Sequence, residues 1–279
     1  MEKTAKKIFY RVWPYFILII CLTVSFTPIV WVVCSSLKPA GYILTIPPFY
    51  FPKTITLQHY YDLFFKRDIS PVFLNSLTIA LASTAISIVF GTLAAYVFAR
   101  SKSKLMDGLL SLILTGRMMP AVALVIPLYM VMRQLNLVNT KTSLIVAYTA
   151  MSLPFAIYMM MGFISQIPYE IEESGIIDGC SPFKVLTLLI LPLIGTGLAS
   201  TAIFNFLTAW NEYLFAVIFM IDERAKTIPV ALMAFDTGRN TYWGPRFALM
   251  VISLVPATIF TLAAQKYLVS GVTLGAVKG

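Results

Sequence analysis

The chain has 279 residues, of which 59% are hydrophobic and 12% charged, and it carries a net charge of +9. A soluble domain holds roughly 45–50% apolar and about 25% charged residues, so this composition excludes an ordinary soluble fold and points to lipid. The basic residues are scattered around apolar segments and form no single face, which excludes nucleic acid as a partner.

Uncharged stretches at 12–37, 69–99, 142–169, 185–211 and 247–265 are each about as long as the ~20 residues that cross a hydrocarbon core. A sixth, 108–132, is interrupted only by Arg117. Barrel strands alternate apolar with polar residues and these segments do not, so the expected fold class is an all-α integral membrane protein with six transmembrane helices. The spans are expected at 14–37, 71–99, 108–132, 142–165, 186–220 and 247–266, within a single domain over 1–279. The first stretch is longer than a signal-peptide core and lacks a small-residue cleavage site before Lys38, so it is expected to persist in the mature chain. Cys21 and Cys34 lie about 20 Å apart along one helix and cannot pair, and Cys180 is alone in a loop. With His59 the only histidine, no metal-ligand or catalytic constellation is present; no catalytic residue, metal or cofactor is assigned to the chain.

Six spans put both termini on one side. Lys3, Lys6, Lys7 and Arg11, reinforced by Arg100, Lys102 and Lys104 after the second span, make that side the cytoplasm. The total count of basic residues divides equally between the two sides, so the assignment rests on their local density.

The loop 166–185, between spans four and five, is built as a helix-turn-helix. Pro168 is suited to open a helix, and Glu170, Glu172 and Glu173 lie near the positive end of its dipole. Asp178-Gly179 suits a left-handed helix end, and Ser181-Pro182 reads as an N-cap followed by a first-turn proline. The small residues Ser174 and Gly175 beside three carboxylates suit insertion into a basic cleft of another protein. By shape alone the segment is equally an ordinary interfacial loop.

Register carries the reading further. Glu173-Ser174-Gly175, Gly179, Leu189 and Leu191-Pro192 are spaced as in the cytoplasmic signature of ATP-binding-cassette importer permeases: Glu-Ala-Ala, three residues, Gly, nine residues, Ile, one residue, Leu-Pro. Three positions depart from that pattern, namely Ser174 and Gly175 for alanine and Leu189 for isoleucine. Four places resemble the carbohydrate-uptake branch, in particular the smaller membrane subunit of maltose-type transporters: Ser36-Leu37-Lys38-Pro39, the loop 172–179, Trp210-Asn211-Glu212, and the tail from Gly271 to Gly279.

The resemblance implies that this subunit performs no bond chemistry. It implies a homologous permease partner, two cassette ATPase subunits that use ATP and Mg, an extracytoplasmic solute-binding protein and a sugar or oligosaccharide as cargo. Coupling to the ATPases then falls to Glu172, Glu173, Ser174, Gly175, Asp178, Gly179 and Pro192. The tail Gly275, Ala276, Val277, Lys278 and Gly279 would enter the ATPase interface, its bland alternative being a frayed terminus. Candidates for the translocation path are Asn75, Arg117, Asn205, Trp210, Asn211 and Glu212. Each has a structural alternative: hydrogen-bond glue for the asparagines, packing for Trp210, and a structural pair of Arg117 with Glu212. Tyr60-Tyr61, Phe64-Phe65 and Thr241-Tyr242-Trp243, on the outer side, suit either a binding protein or the bilayer surface. A non-sugar cargo (polyamine, amino acid, phosphate ester), an ATPase-independent transporter and an integral membrane enzyme are the competing readings.

Overall fold

The structure, a computed structural model, describes residues 2–236 and 241–275, with side chains described outside 2–9, 11, 12, 264 and 266–275. It is helical: α1 (Glu2–Ser36), α2 (Gln58–Tyr61), α3 (Ser70–Arg100), α4 (Lys104–Gly116), α5 (Ala121–Gln134), α6 (Lys141–Ile164), α7 (Glu170–Ile177), α8 (Pro182–Lys184), α9 (Leu191–Leu193), α10 (Gly195–Trp210), α11 (Leu214–Phe219), α12 (Ile228–Met233) and α13 (Trp243–Gly275). Wider π turns occupy Asp62–Lys66 and Val185–Ile190. Extended pairing among the described residues is a single bridge between Asp236 and Thr241.

Four helices are long and apolar enough to cross a membrane unbroken: Trp13–Ser36 of α1, α3, α6 and Trp243–Ala263 of α13. Two more candidates are bent pairs, α4 with α5 at 99° and Pro182–Leu193 with α10 at 82°, giving six spans when each pair is one crossing. The 108–132 stretch is thus a bent pair of helices and not one straight helix. α4 ends at Gly116, and Pro120, which disfavours the helical region for Met119 before it, stands as the N-cap of α5 with φ −59° and ψ 131°. The 186–220 stretch is likewise divided, at Ile194 and again after Trp210.

The chain divides into two compact units, Met1–Ile69 with Leu232–Leu254, and Ser70–Ala231 with Val255–Gly279. In the first, the Ser36–Pro39 segment ties the end of α1 to Phe49, His59 and Tyr60. Lys38, though charged, is buried; its Nζ donates to the Phe49 carbonyl at 2.5 Å and lies 4.3 Å from the Trp31 ring centre. Its own carbonyl bonds the buried His59 ring at 2.8 Å, and Ser36 Oγ bonds the Tyr60 hydroxyl at 2.8 Å. The Lys38 ammonium and the Ser36 and Tyr60 hydroxyls thus each have a partner, as burial demands, whereas the neighbouring buried Ser35 hydroxyl has none among the described residues. By contrast, no residue of the most apolar stretch of α1 is buried within the chain.

The second unit is built on α3, α6 and α10. Gly91 allows close approach of α3 to α6, because a Cβ there would fall 2.6 Å from that of Ala156. Gly197 does the same for α10 against the Phe163 ring. Small residues at such crossings let helices pack by van der Waals contact where lipid offers no hydrophobic drive.

Candidate functional site

The segment 166–185 forms the expected helix-turn-helix. α7 starts at Glu170, two residues later than Pro168, with Tyr169 at its N-cap. It ends in a paired-bond stop: Gly179 N–H donates to the Ile176 carbonyl at 3.0 Å and Cys180 N–H to the Gly175 carbonyl at 2.9 Å. That geometry needs a left-handed residue, and Gly179 supplies φ +83°. Ser181 Oγ then accepts from Lys184 N–H at 3.4 Å and Pro182 occupies the first turn of α8, as its sequence predicts.

α7 has two chemically different faces. Glu172 and Gly175, three residues apart, point inward and are buried. Glu172 accepts from Arg100 Nε at 2.6 Å and from the Tyr96 hydroxyl at 2.9 Å, while Arg100 also donates to the Ile167 carbonyl at 3.0 Å. The pair is tight and shielded, with 19% of the Arg100 side chain and 2% of that of Glu172 exposed. At Gly175 a Cβ would lie 2.5 Å from Leu189 Cδ1 and 3.3 Å from Val185 Cγ2. Two expectations are corrected here. Glu172 is not a free carboxylate for another protein, and the small Gly175 serves close packing inside this chain.

The other face is open. Glu170, Glu173, Ser174, Asp178 and Gly179 are exposed, and with them the apolar Ile176, Ile177 and Phe183, 51%, 84% and 64% exposed. Ser174 Oγ turns back to donate to the Ile171 carbonyl at 2.8 Å. The surface is therefore a small apolar knob edged by carboxylates.

The seat beneath it is a buried core of Ala95, Met160, Ile164, Val185, Leu186, Ile190 and Ile194. It joins the ends of α3 and α6 to the 185–194 segment. In the π turn Leu191 N–H donates to the Leu186 carbonyl, one residue wider than an α-helix. Pro192, which has no N–H and crowds the carbonyl four residues back, follows directly. It is exposed, and the 82° bend comes two residues later at Ile194. Of the tail, Gly275 is the last residue of α13; Ala276, Val277, Lys278 and Gly279 lie outside the described residues.

The six path candidates separate. Asn75 is buried, and its amide donates to the carbonyls of Arg224 at 2.8 Å and Lys226 at 3.2 Å. Asn205 is buried in α10, its amide nitrogen without a partner among the described residues. Trp210 is buried, stacked on Phe206 and edge-on to Phe73. Glu212 accepts from the Tyr148 hydroxyl at 2.7 Å and from the N–H groups of Phe215 and Ala216, capping α11. Its pairing with Arg117 is thereby replaced: Arg117 ends α4, exposed, with its guanidinium 4.5 Å from the Phe155 ring centre. Asn211 is exposed, its amide donating to the Leu207 carbonyl at 2.8 Å. Arg117 and Asn211 are thus the two of the six that are exposed.

Sequence reasoning treated Arg100 only as a topological charge and passed over Tyr96, Ile176 and Ile177. Arg100 and Tyr96 are 72 and 76 residues from Glu172, beyond any local pattern. The Ile176 and Ile177 signal was available: they fall three and four residues after Glu173 and so share its face.

The family described as binding-protein-dependent transport system inner membrane component matches residues 87–274. The chain is 35% identical over 252 residues to the sulfoquinovosyl glycerol transport system permease of Agrobacterium fabrum, covering 90% of this chain and 88% of that one. It is 34% identical to the trehalose/maltose transport system permease of Thermococcus litoralis, covering 100% and 99%. It is 31% identical to the diacetylchitobiose uptake system permease of Streptomyces coelicolor, covering 98% and 99%. Its fold matches a chain of a bacterial ABC transporter that imports alginate, with a TM-score of 0.79 over 92% of this chain and 96% of that one at 18% identity. An all-helical membrane fold, a sequence match over most of the chain and relatives of equal length agree: this protein belongs to the binding-protein-dependent inner-membrane transport components, and is a multi-pass permease subunit of an ABC importer, a transport component and not an enzyme.

Proposed function

We propose that the chain, as one permease domain over 1–279, forms half of the translocation path for a sugar or oligosaccharide. Both termini and the 166–185 loop face the cytoplasm. A homologous permease completes the path, two cassette ATPases hydrolyse ATP with Mg beneath it, and an extracytoplasmic binding protein delivers the solute. The saccharides in the names of the three permeases above support the cargo class. The observation that carries the coupling role is the exposed knob of Glu173, Ile176, Ile177 and Phe183 on a loop whose inner face is fixed to the membrane core. An apolar knob with acidic edges fits a cleft that is apolar within and basic at its rim. Asp178 and Gly179 set its end, Pro192 stands at the bend beneath it, and the tail Gly275 to Gly279 reaches the ATPase interface. Closure of the ATPases on ATP then shifts the loop and biases the path between inward-open and outward-open states. Arg117 and Asn211 are the path-lining candidates of this subunit, whereas Asn75, Trp210 and Glu212 hold helices and loops together.

The test is purification of the complex with its ATPases. Glu173→Ala and Gly179→Pro, the latter incompatible with a positive φ, are expected to reduce copurifying ATPase and solute-stimulated hydrolysis at least tenfold. Unchanged copurification and hydrolysis would sink the coupling role. A binding protein stabilised in thermal-shift assays only by amino acids would overturn the cargo class.

A further inference from the structure

We infer that α3 is a strut carrying displacement of α7 to the segment 224–228 on the opposite membrane surface, with Asn75, Ser76 and Glu172 as positioning residues at its two ends; this rests on the coupling role proposed above. At one end, Glu172 of α7 clamps Arg100 and Tyr96 with the contacts already given, all within the last two turns of α3. At the other end, the Asn75 amide donates to the carbonyls of Arg224 and Lys226, and Ile228 N–H donates to Ser76 Oγ at 2.7 Å. Asn75 and Ser76 are buried, so these bonds act without competition from water.

The distance between the clamps decides what they join. From Ser76 to Arg100 an α-helix rises roughly 36 Å, more than the ~30 Å hydrocarbon thickness, so the clamps lie at opposite surfaces. Between them α3 is unbroken and contains no proline after Pro71. Along its middle the buried hydroxyls do not tie it to neighbours: Ser83 donates to its own helix at the Ile79 carbonyl, and the oxygens of Thr84, Ser87 and Thr92 have no partner among the described residues. The directional bonds are therefore concentrated at the ends and the middle is held by close packing. A helix held in this way can shift along its axis while keeping both attachments, the small sliding motion of packed helices.

The experiment uses the full complex with its ATPases, with Cys21, Cys34 and Cys180 replaced and a reporter Arg224→Cys introduced. Only the backbone carbonyl of Arg224 takes part in the clamp. Labelling by a membrane-impermeant maleimide is followed with and without Mg-ATP plus vanadate. In the parent complex the nucleotide is expected to change the labelling rate by about 5-fold or more. Asn75→Leu combined with Ser76→Ala, which removes the donor to the Arg224 and Lys226 carbonyls and the acceptor for Ile228 N–H, is expected to abolish that change, and Ser76→Thr with Asn75 kept, which retains every bond of the clamp, to preserve it. A nucleotide response that survives the double substitution, or one lost in Ser76→Thr, overturns the strut. A second reporter, Ile177→Cys, separates this from failure of the coupling role: if the ATPases do not protect it from labelling, the docking reading itself fails.

Discussion

Glu172 and Glu173 are chemically identical neighbours with opposite tasks. One residue along a helix is about 100° of rotation, enough to turn Glu172 onto Arg100 and Tyr96 and leave Glu173 exposed. Glu172→Ala is expected to lower stability by about 3 kcal/mol, because it leaves the guanidinium of Arg100 largely buried with no counter-charge. Glu173→Ala is expected to change stability by less than about 0.5 kcal/mol, as for other exposed positions, and to weaken ATPase docking instead. Thermal unfolding of the detergent-purified chain beside ATPase copurification separates the two; equal destabilisation by both substitutions would contradict this assignment.

At the scale of elements, the contact between α7 and the Val185–Ile190 turn accounts for two of the three departures from the importer signature. Gly175 stands where the signature has alanine and Leu189 where it has isoleucine, and the two touch: Leu189 Cδ1 fills the space a Cβ on residue 175 would occupy. The third departure, Ser174, is exposed and outside this contact. Gly175→Ala alone is expected to be destabilising by about 1 kcal/mol, since overpacking outweighs the gain in helix propensity. Adding Leu189→Ile, whose branch lies nearer the backbone, is expected to recover most of the loss. A double-mutant cycle read by thermal unfolding should give a coupling of about 1 kcal/mol; additive effects would mean that the two positions do not share one space.

For the whole molecule the number of crossings runs from four to six, according to how many of the two bent pairs cross as one span. If α4 and α5 together cross once, Lys102 and Leu135 face opposite sides of the membrane; if the 99° bend makes a re-entrant loop, they face the same side. In a background without native cysteines, membrane-impermeant maleimide added to intact cells is expected to label Leu135→Cys at once. Lys102→Cys and Ile177→Cys are expected to be labelled only after permeabilisation. Labelling of Lys102→Cys and Leu135→Cys from the same side would reduce the count. The most apolar part of α1, which buries nothing within the chain, must be covered by lipid or by a partner subunit.

Much of this protein was legible in the sequence because it depends on local chemistry. Length and apolarity of the stretches gave an all-helical membrane fold, since lipid demands that backbone groups be satisfied within the segment. Gly179, Ser181 and Pro182 marked the turn between α7 and α8, since caps are decided within four residues. The tertiary structure alone decided which carboxylate is spent inside the chain, because Tyr96 and Arg100 reach Glu172 across more than seventy residues. It likewise gave Asn75 and Glu212 their hydrogen-bond partners, and bent the 108–132 and 186–220 stretches, whose angles hydropathy does not read. Hydropathy averages over a window and carries no direction, whereas the partner of a buried polar group and the angle after a proline are set by which helices meet.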